Sequence, residues 1–161
     1  MPAVTTAYVR NIINRGLSEL VDPSPAKNDL DAVWHHFNSS CAFCGAALNR
    51  AAEEGRLDHL LAASSGGPNS LGNRVLACGT CNDKEKLDQP WERFLRSKAE
   101  SEVVFDLRKR RVVAWQNLHP IPDEARHRAL RAAASGKALE VIKIFDEKVI
   151  ELKQLVHGPE E

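Results

Sequence analysis

Between Thr5 and Val21, apolar residues recur at Val9, Ile12, Ile13, Leu17 and Leu20. That 3.6-residue spacing predicts an amphipathic helix. Asp22-Pro23-Ser24-Pro25 ends it. Leu30, Val33, Trp34 and Phe37 continue the helical pattern and predict a second helix over about Asn28 to Phe37. The pattern then changes. Arg56 to Ala63 reads as a strand, Ser64 to Ser70 as a loop, and the apolar run Arg74-Val75-Leu76-Ala77 as a second strand. A helix is expected from Thr80 or Cys81 through Lys86. Another is expected after Asp88, with Pro90 in its first turn and Trp91, Phe94 and Leu95 inward.

The stretch 102–116 is compatible with two patterns. Val103-Val104-Phe105 and Val112-Val113-Ala114-Trp115 flank Arg108-Lys109-Arg110-Arg111, as two strands around a turn or as one helix. Pro120 and Pro122 interrupt the chain, and Asp123-Glu124 places negative charge at the next helix start. Helices are predicted over about 123–135 and 137–157, separated at Ser135-Gly136. In the last of these, Ala138, Ile142, Phe145, Val149, Leu152 and Val156 alternate by four and three residues, a heptad seam. Val141, Ile144, Ile150 and Leu155 widen its apolar surface. Two partners fit the seam: the chain's own N-terminal helices, or a second copy in a homodimer.

Composition narrows the class. The 161 residues are 43% hydrophobic and 27% charged, which excludes wholesale disorder. No apolar run reaches the roughly 20 residues that span a bilayer. The first residues lack an apolar segment with a cleavage signal, so a cytoplasmic protein is expected. Lys and Arg number 22 against 22 Asp and Glu, which excludes a globally basic nucleic-acid binder. The excess is local: residues 106–137 carry 8 basic and 3 acidic side chains. Arg108, Lys109, Arg110, Arg111, Arg126, Arg128 and Arg131 could there grip phosphates or form a solvated face.

The four cysteines form two Cys-x-x-Cys pairs, Cys41/Cys44 and Cys78/Cys81, each in a turn-like setting. In a reducing compartment disulfides are disfavoured. Two such knuckles supply the four thiolates of one tetrahedral Zn²⁺ and leave no open position, so the zinc is structural.

Between the pairs lies the chemistry. Asp58 and His59 are adjacent on the first strand, so their side chains leave opposite faces. Acting on one substrate, they need a local twist, or a metal and a phosphate between them. An imidazole, with an ordinary pKa of about 6.5, can accept a proton from water at neutral pH. Mg²⁺ prefers oxygen ligands and binds through one or two carboxylates plus waters and phosphate. Asp58 and the Asn82 amide offer such oxygens.

The segment LDHLLAASSGGPNSLGNRVLACGTCNDKEK resembles the HNH endonucleases, ββα-metal nucleases with a four-cysteine zinc site. The resemblance spans about Cys41 to Lys86 and rests on four coincident features: the paired knuckles, the Asp-His pair, the Gly-rich loop ending in Gly72-Asn73-Arg74, and Cys81-Asn82. It implies that His59 is the general base and that Asp58 and Asn82 hold a catalytic Mg²⁺ or Mn²⁺. Asn73 would hold the loop and orient the base. Many relatives carry a lysine three residues after the asparagine; here that place is Glu85, with Lys84 and Lys86 beside it. The expectation is an α+β, mainly helical protein. Its N-terminal helices (1–40), zinc-bound nuclease core (41–99), and basic segment with C-terminal helices (100–161) would pack as one domain. The expected activity is metal-dependent cleavage of double-stranded DNA, of restriction or phage type. Because one such site cuts one strand, a two-fold dimer would serve double-strand cleavage. The alternatives are a zinc-stabilised DNA-binding module without catalysis and an RNA-cleaving nuclease.

Overall fold

The structure is a computed structural model that describes residues 5–120 and 123–157. Pro122 therefore lies outside the described residues. The chain is mainly helical, with one two-stranded antiparallel sheet. It divides into two compact units: residues 1–23 with 125–161, and residues 24–124. Helices on both sides of the cysteine-bearing core pack onto it, because Val33 and Phe37 before it and Phe94, Phe105 and Trp115 after it share one apolar cluster.

In the first unit, helix α1 (Thr6–Val21) starts at Thr5, whose hydroxyl accepts the Tyr8 amide at 3.2 Å. Val9, Ile13 and Leu17 are half-buried, whereas Ile12 and Leu20 stay exposed. Helix α5 (Glu124–His157) runs without a break through Ser135-Gly136. Two helices were expected there. A glycine inside a helix costs only about 1 kcal/mol against alanine. Ala134 and Ala138 are buried on either side of it, so packing holds the helix through that point. Arg10 pairs with Asp146 at 2.9 Å, and His127 Nε2 lies 2.9 Å from Asp22 Oδ1. The early residue of α1 meets the late part of α5 and the reverse, so the helices run antiparallel. Of the heptad seam, Ala138 is buried, Ile142, Phe145 and Val149 are half-buried, and Leu152 and Val156 are exposed.

The second unit holds α2 (Lys27–His36), β1 (Gly55–His59), β2 (Arg74–Cys78), a helical segment Thr80–Lys86 of π type, α3 (Trp91–Lys98) and α4 (Glu102–Leu118). The stretch that fitted two patterns is the single helix α4. Its β-branched residues suggest strands, but Phe105, Val112 and Trp115 share one helical face and are buried. The arginines and lysine between them are good helix formers. Ser101 Oγ caps the helix by accepting the Val104 amide at 3.3 Å. Trp115 Nε1 donates to the Leu71 carbonyl at 2.9 Å, which ties α4 to the residues just before β2. Trp115 is core, and Trp34 and Trp91 pack against that core.

β1 and β2 pair with Asp58 opposite Val75 and His59 opposite Arg74. β1 stops at His59 rather than reaching Ala63. The chain folds back there so tightly that a Cβ on Gly67 would collide with the Leu61 carbonyl oxygen. Gly67 N instead donates to the Ala62 carbonyl at 2.9 Å. A backbone approach this close needs a residue without a side chain.

Candidate functional site

The four cysteines converge. Their sulfurs all lie within 4.8 Å of one another, and Cys44 Sγ to Cys78 Sγ is 3.8 Å. Tetrahedral Zn–S bonds of about 2.3 Å place ligand sulfurs about 3.8 Å apart, so the set could bind a zinc ion. The frame around it is backbone. Cys41 N donates to Ala46 O and Ala42 N to Leu76 O, both at 2.8 Å, which joins the first knuckle to β2. Cys81 N points at Cys78 Sγ at 3.4 Å, the amide-to-sulfur contact of the second knuckle. Burial pushes the Cys41 thiol up to about 11. Burial, and then the charge of Cys41, push Cys81 up as well. Four thiolates crowded together call for a bound cation.

Arg108 braces this centre from α4. Its Nη1 donates to the Phe43 carbonyl at 2.9 Å and to the Lys98 carbonyl at 3.2 Å. Gly45, with φ of 76°, leaves the room: a Cβ there would lie 2.5 Å from the guanidinium. Arg108 is one of the residues offered either to phosphates or to a solvated face, and its hydrogen bonds turn it into the protein instead. Arg131 lies 3.8 Å from the buried Asp22, and Lys109 pairs with Glu92 at 2.6 Å. Arg110, Arg111, Arg126 and Arg128 are exposed. A surface hollow of about 590 Å³ along α4 is lined by Arg96, Phe105, Lys109 and Arg110 among others, and by none of the candidate catalytic residues.

Asn73 is buried, and both ends of its amide are used. Its Oδ1 accepts Leu61 N at 2.8 Å, and its Nδ2 donates to Leu61 O at 3.0 Å and Pro68 O at 2.8 Å. It pins the two sides of the Gly-rich loop as a third strand would. The contacts on the imidazole come from elsewhere. His59 Nε2 lies 3.0 Å from Asn69 Oδ1, and His59 Nδ1 lies 2.8 Å from Arg74 Nη1. Asn69 Oδ1 also accepts Arg74 Nη2 at 3.0 Å. The resemblance gave the orienting role to Asn73 and assigned nothing to Arg74. The signal for Arg74 was present: an arginine opening β2 falls opposite the last residue of β1 once the strands pair.

Asp58 turns toward the helical segment. Lys86, fully buried, places Nζ 3.5 Å from Asp58 Oδ2 and donates to the His59 carbonyl at 2.6 Å. Burial pushes the Asp58 carboxyl up to about 6, against the pull of Lys86 and Arg74. Its Oδ2 is buried and accepts no hydrogen bond among the described residues. A carboxylate oxygen is the ligand type a hard cation prefers, and here Lys86 is the cation beside it. Asn82 is half-buried on the same segment as Lys86, and its Nδ2 donates to Asp83 Oδ1 at 2.5 Å. The amide oxygen is the atom a cation would use.

The π geometry decides which side chain of this segment faces inward. A π turn closes from i to i+5 instead of i+4 and takes in an extra residue. Glu85, three residues after Asn82, thereby turns outward to Lys98 at 2.5 Å, and Lys86 takes the inward place. The segment ends in a strained Leu87 at φ 47°, a backbone region that non-glycine residues seldom occupy.

Among the described residues no helix is long and apolar enough to cross a membrane. No curated protein and no solved structure matches the chain. A family model does: residues 41–87, from the first knuckle through the π-type segment, match the HNH endonuclease family.

Proposed function

We propose that this chain is a metal-dependent endonuclease that hydrolyses phosphodiester bonds in double-stranded DNA. The observation that carries the reading is the end of β1. A histidine held by two side chains stands there next to a buried carboxylate whose cationic neighbour is Lys86, in a frame closed by four cysteines. His59 Nδ1 takes the proton of the attacking water as its oxygen bonds to phosphorus. The P–O3′ bond breaks, and the departing oxygen takes a proton from solvent, leaving a 5′-phosphate and a 3′-hydroxyl. Asn73 keeps the loop that carries Asn69 in place, and Asn69 keeps the ring oriented. Asp58 and Asn82 would hold a divalent ion, which would supply Lewis acidity to the reaction. The thiolate cluster is a structural zinc centre. Arg110 and Arg111, exposed on α4, supply phosphate contacts in this reading, and Arg126 and Arg128 do so from α5.

Exposed Leu139, Val141, Ile144, Ile150, Leu152 and Leu155 on α5 support a second copy as the partner of that helix, which would bring two cutting sites to one duplex. One observation favours the DNA-binding module without catalysis: Lys86 already supplies a cation to Asp58. Supercoiled plasmid separates the two. The nuclease converts it to nicked or linear DNA with Mg²⁺ or Mn²⁺ and not without added divalent ion, whereas the binding module retards it and leaves it intact.

A further inference from the structure

The contacts around His59 define its protonation and also block it. A guanidinium has donors only, so Nδ1, 2.8 Å from Arg74 Nη1, must present its lone pair. Asn69 Oδ1 is already an acceptor for Arg74 Nη2, so Nε2, 3.0 Å from the same oxygen, carries the ring proton. The three side chains close a ring of hydrogen bonds that selects the neutral Nε2–H tautomer and leaves Nδ1 as the proton acceptor. Yet that lone pair is occupied. A water cannot hand its proton to a nitrogen that already accepts from an arginine.

A phosphodiester resolves the conflict. Anionic phosphate oxygens pair with a guanidinium in a bidentate fork of two parallel hydrogen bonds, with opposite charge that a neutral imidazole nitrogen does not offer. Arg74 is half-buried and opens β2 beside the loop. Asn73 locks the backbone immediately before it through three hydrogen bonds, so the guanidinium can move while the strand stays. The other cation at the site, Lys86, is fully buried and held by the His59 carbonyl.

We propose that Arg74 is the ligand of the scissile phosphate, and that its transfer from His59 Nδ1 to that phosphate uncovers the base only when substrate is in place. The proposal rests on the nuclease reading above. It makes Arg74 a catalytic residue and the resting enzyme self-masked, which protects the base from idle proton exchange.

The test uses the full zinc-loaded chain. In two-bond ¹H–¹⁵N spectra, His59 should show the Nε2–H tautomer in the free protein. A short DNA duplex added without divalent ion should shift Nδ1 toward the value of an unbonded lone pair and shift the Arg74 guanidinium. In plasmid cleavage, Arg74→Leu should lose about 10²- to 10³-fold in kcat, the usual effect of removing one donor from a developing anion, with KM changed far less. Arg74→Lys should recover part of that loss, since it keeps the charge without the fork. A parent that cuts while Arg74→Leu matches its kcat overturns this proposal and leaves the nuclease reading standing. A parent that cuts no nucleic acid overturns both. Should Arg74→Leu fail to fold, the parent's spectra decide: an Nδ1 signal unmoved by DNA refutes the exchange.

Discussion

Replacing Lys86 by methionine removes the cation beside Asp58 while keeping an unbranched side chain of similar length in the buried space. The pair stands at 3.5 Å, which at an effective dielectric constant near 20 is an attraction of about 5 kcal/mol. The loss of stability is smaller, because the carboxyl can escape by keeping its proton. Asp58 titrates at about 6 in the folded protein, above its ordinary 3.8. The folded state therefore holds this proton more tightly than the unfolded chain does, and stability falls as pH rises through that window. The attraction of Lys86 keeps the shift from going further. Without it the carboxyl stays neutral to higher pH. At pH 5 Asp58 is mostly protonated in parent and variant alike, and Lys86→Met loses a long hydrogen bond to the Leu87 carbonyl and the short one to the His59 carbonyl. That bond is worth about 1.5–3 kcal/mol before the relief of no longer burying an ammonium. At pH 8 the parent has gained two pH units of ionisation that the variant forgoes, about 3 kcal/mol more at 1.36 kcal/mol per unit. Urea unfolding followed by tryptophan fluorescence measures this, since Trp34, Trp91 and Trp115 all lie in the Ser24–Glu124 unit. Zinc bound at the four cysteines would add its own pH dependence, shared by parent and variant. A loss of equal size at pH 5 and pH 8 would refute the ion-pair account of Lys86.

Cys78→Ser should leave the Ser24–Glu124 unit unfolded or without cooperative unfolding, because structural zinc binding and folding are one equilibrium; elemental analysis finding a cooperatively folded but metal-free parent would contradict this. Asn73→Ala removes three buried hydrogen bonds at about 1 kcal/mol each, so limited proteolysis should cut faster between Leu61 and Gly72. Arg110→Ala with Arg111→Ala should reduce the salt dependence of DNA binding by about 0.9 for each phosphate that is no longer neutralised, as read by titration at several salt concentrations. An unchanged slope would make that face of α4 a solvated surface.

Much of the site was legible because its motifs are local. Two Cys-x-x-Cys pairs announce a metal centre wherever the intervening chain goes, and Asp58-His59 next to a Gly-rich loop marks the end of a strand. What escaped depends on geometry that residue order does not carry. Lys86 was missed because the Thr80–Lys86 turn is π type, which changes which residue faces inward. Arg74 was missed because its contact with His59 exists only across the β1–β2 register. Arg108 looked like part of a basic patch, and only the packing of α4 on the first knuckle shows its donors spent on carbonyls. The continuous α5 was hidden by Ser135-Gly136, where local propensity argues for a break and the buried alanines on either side override it.

The central claim is that His59 is the base of a phosphodiester-cleaving site. The direct measurement is cleavage of supercoiled plasmid with Mg²⁺ or Mn²⁺ by the parent and by His59→Ala, alongside DNA affinity for both. The account predicts cleavage by the parent, a loss of at least about 10²-fold in His59→Ala, in line with the removal of a general base, and affinities that agree within a few-fold. Cleavage by His59→Ala at the parental rate, or a zinc-loaded parent that binds DNA and never cuts it, would contradict it.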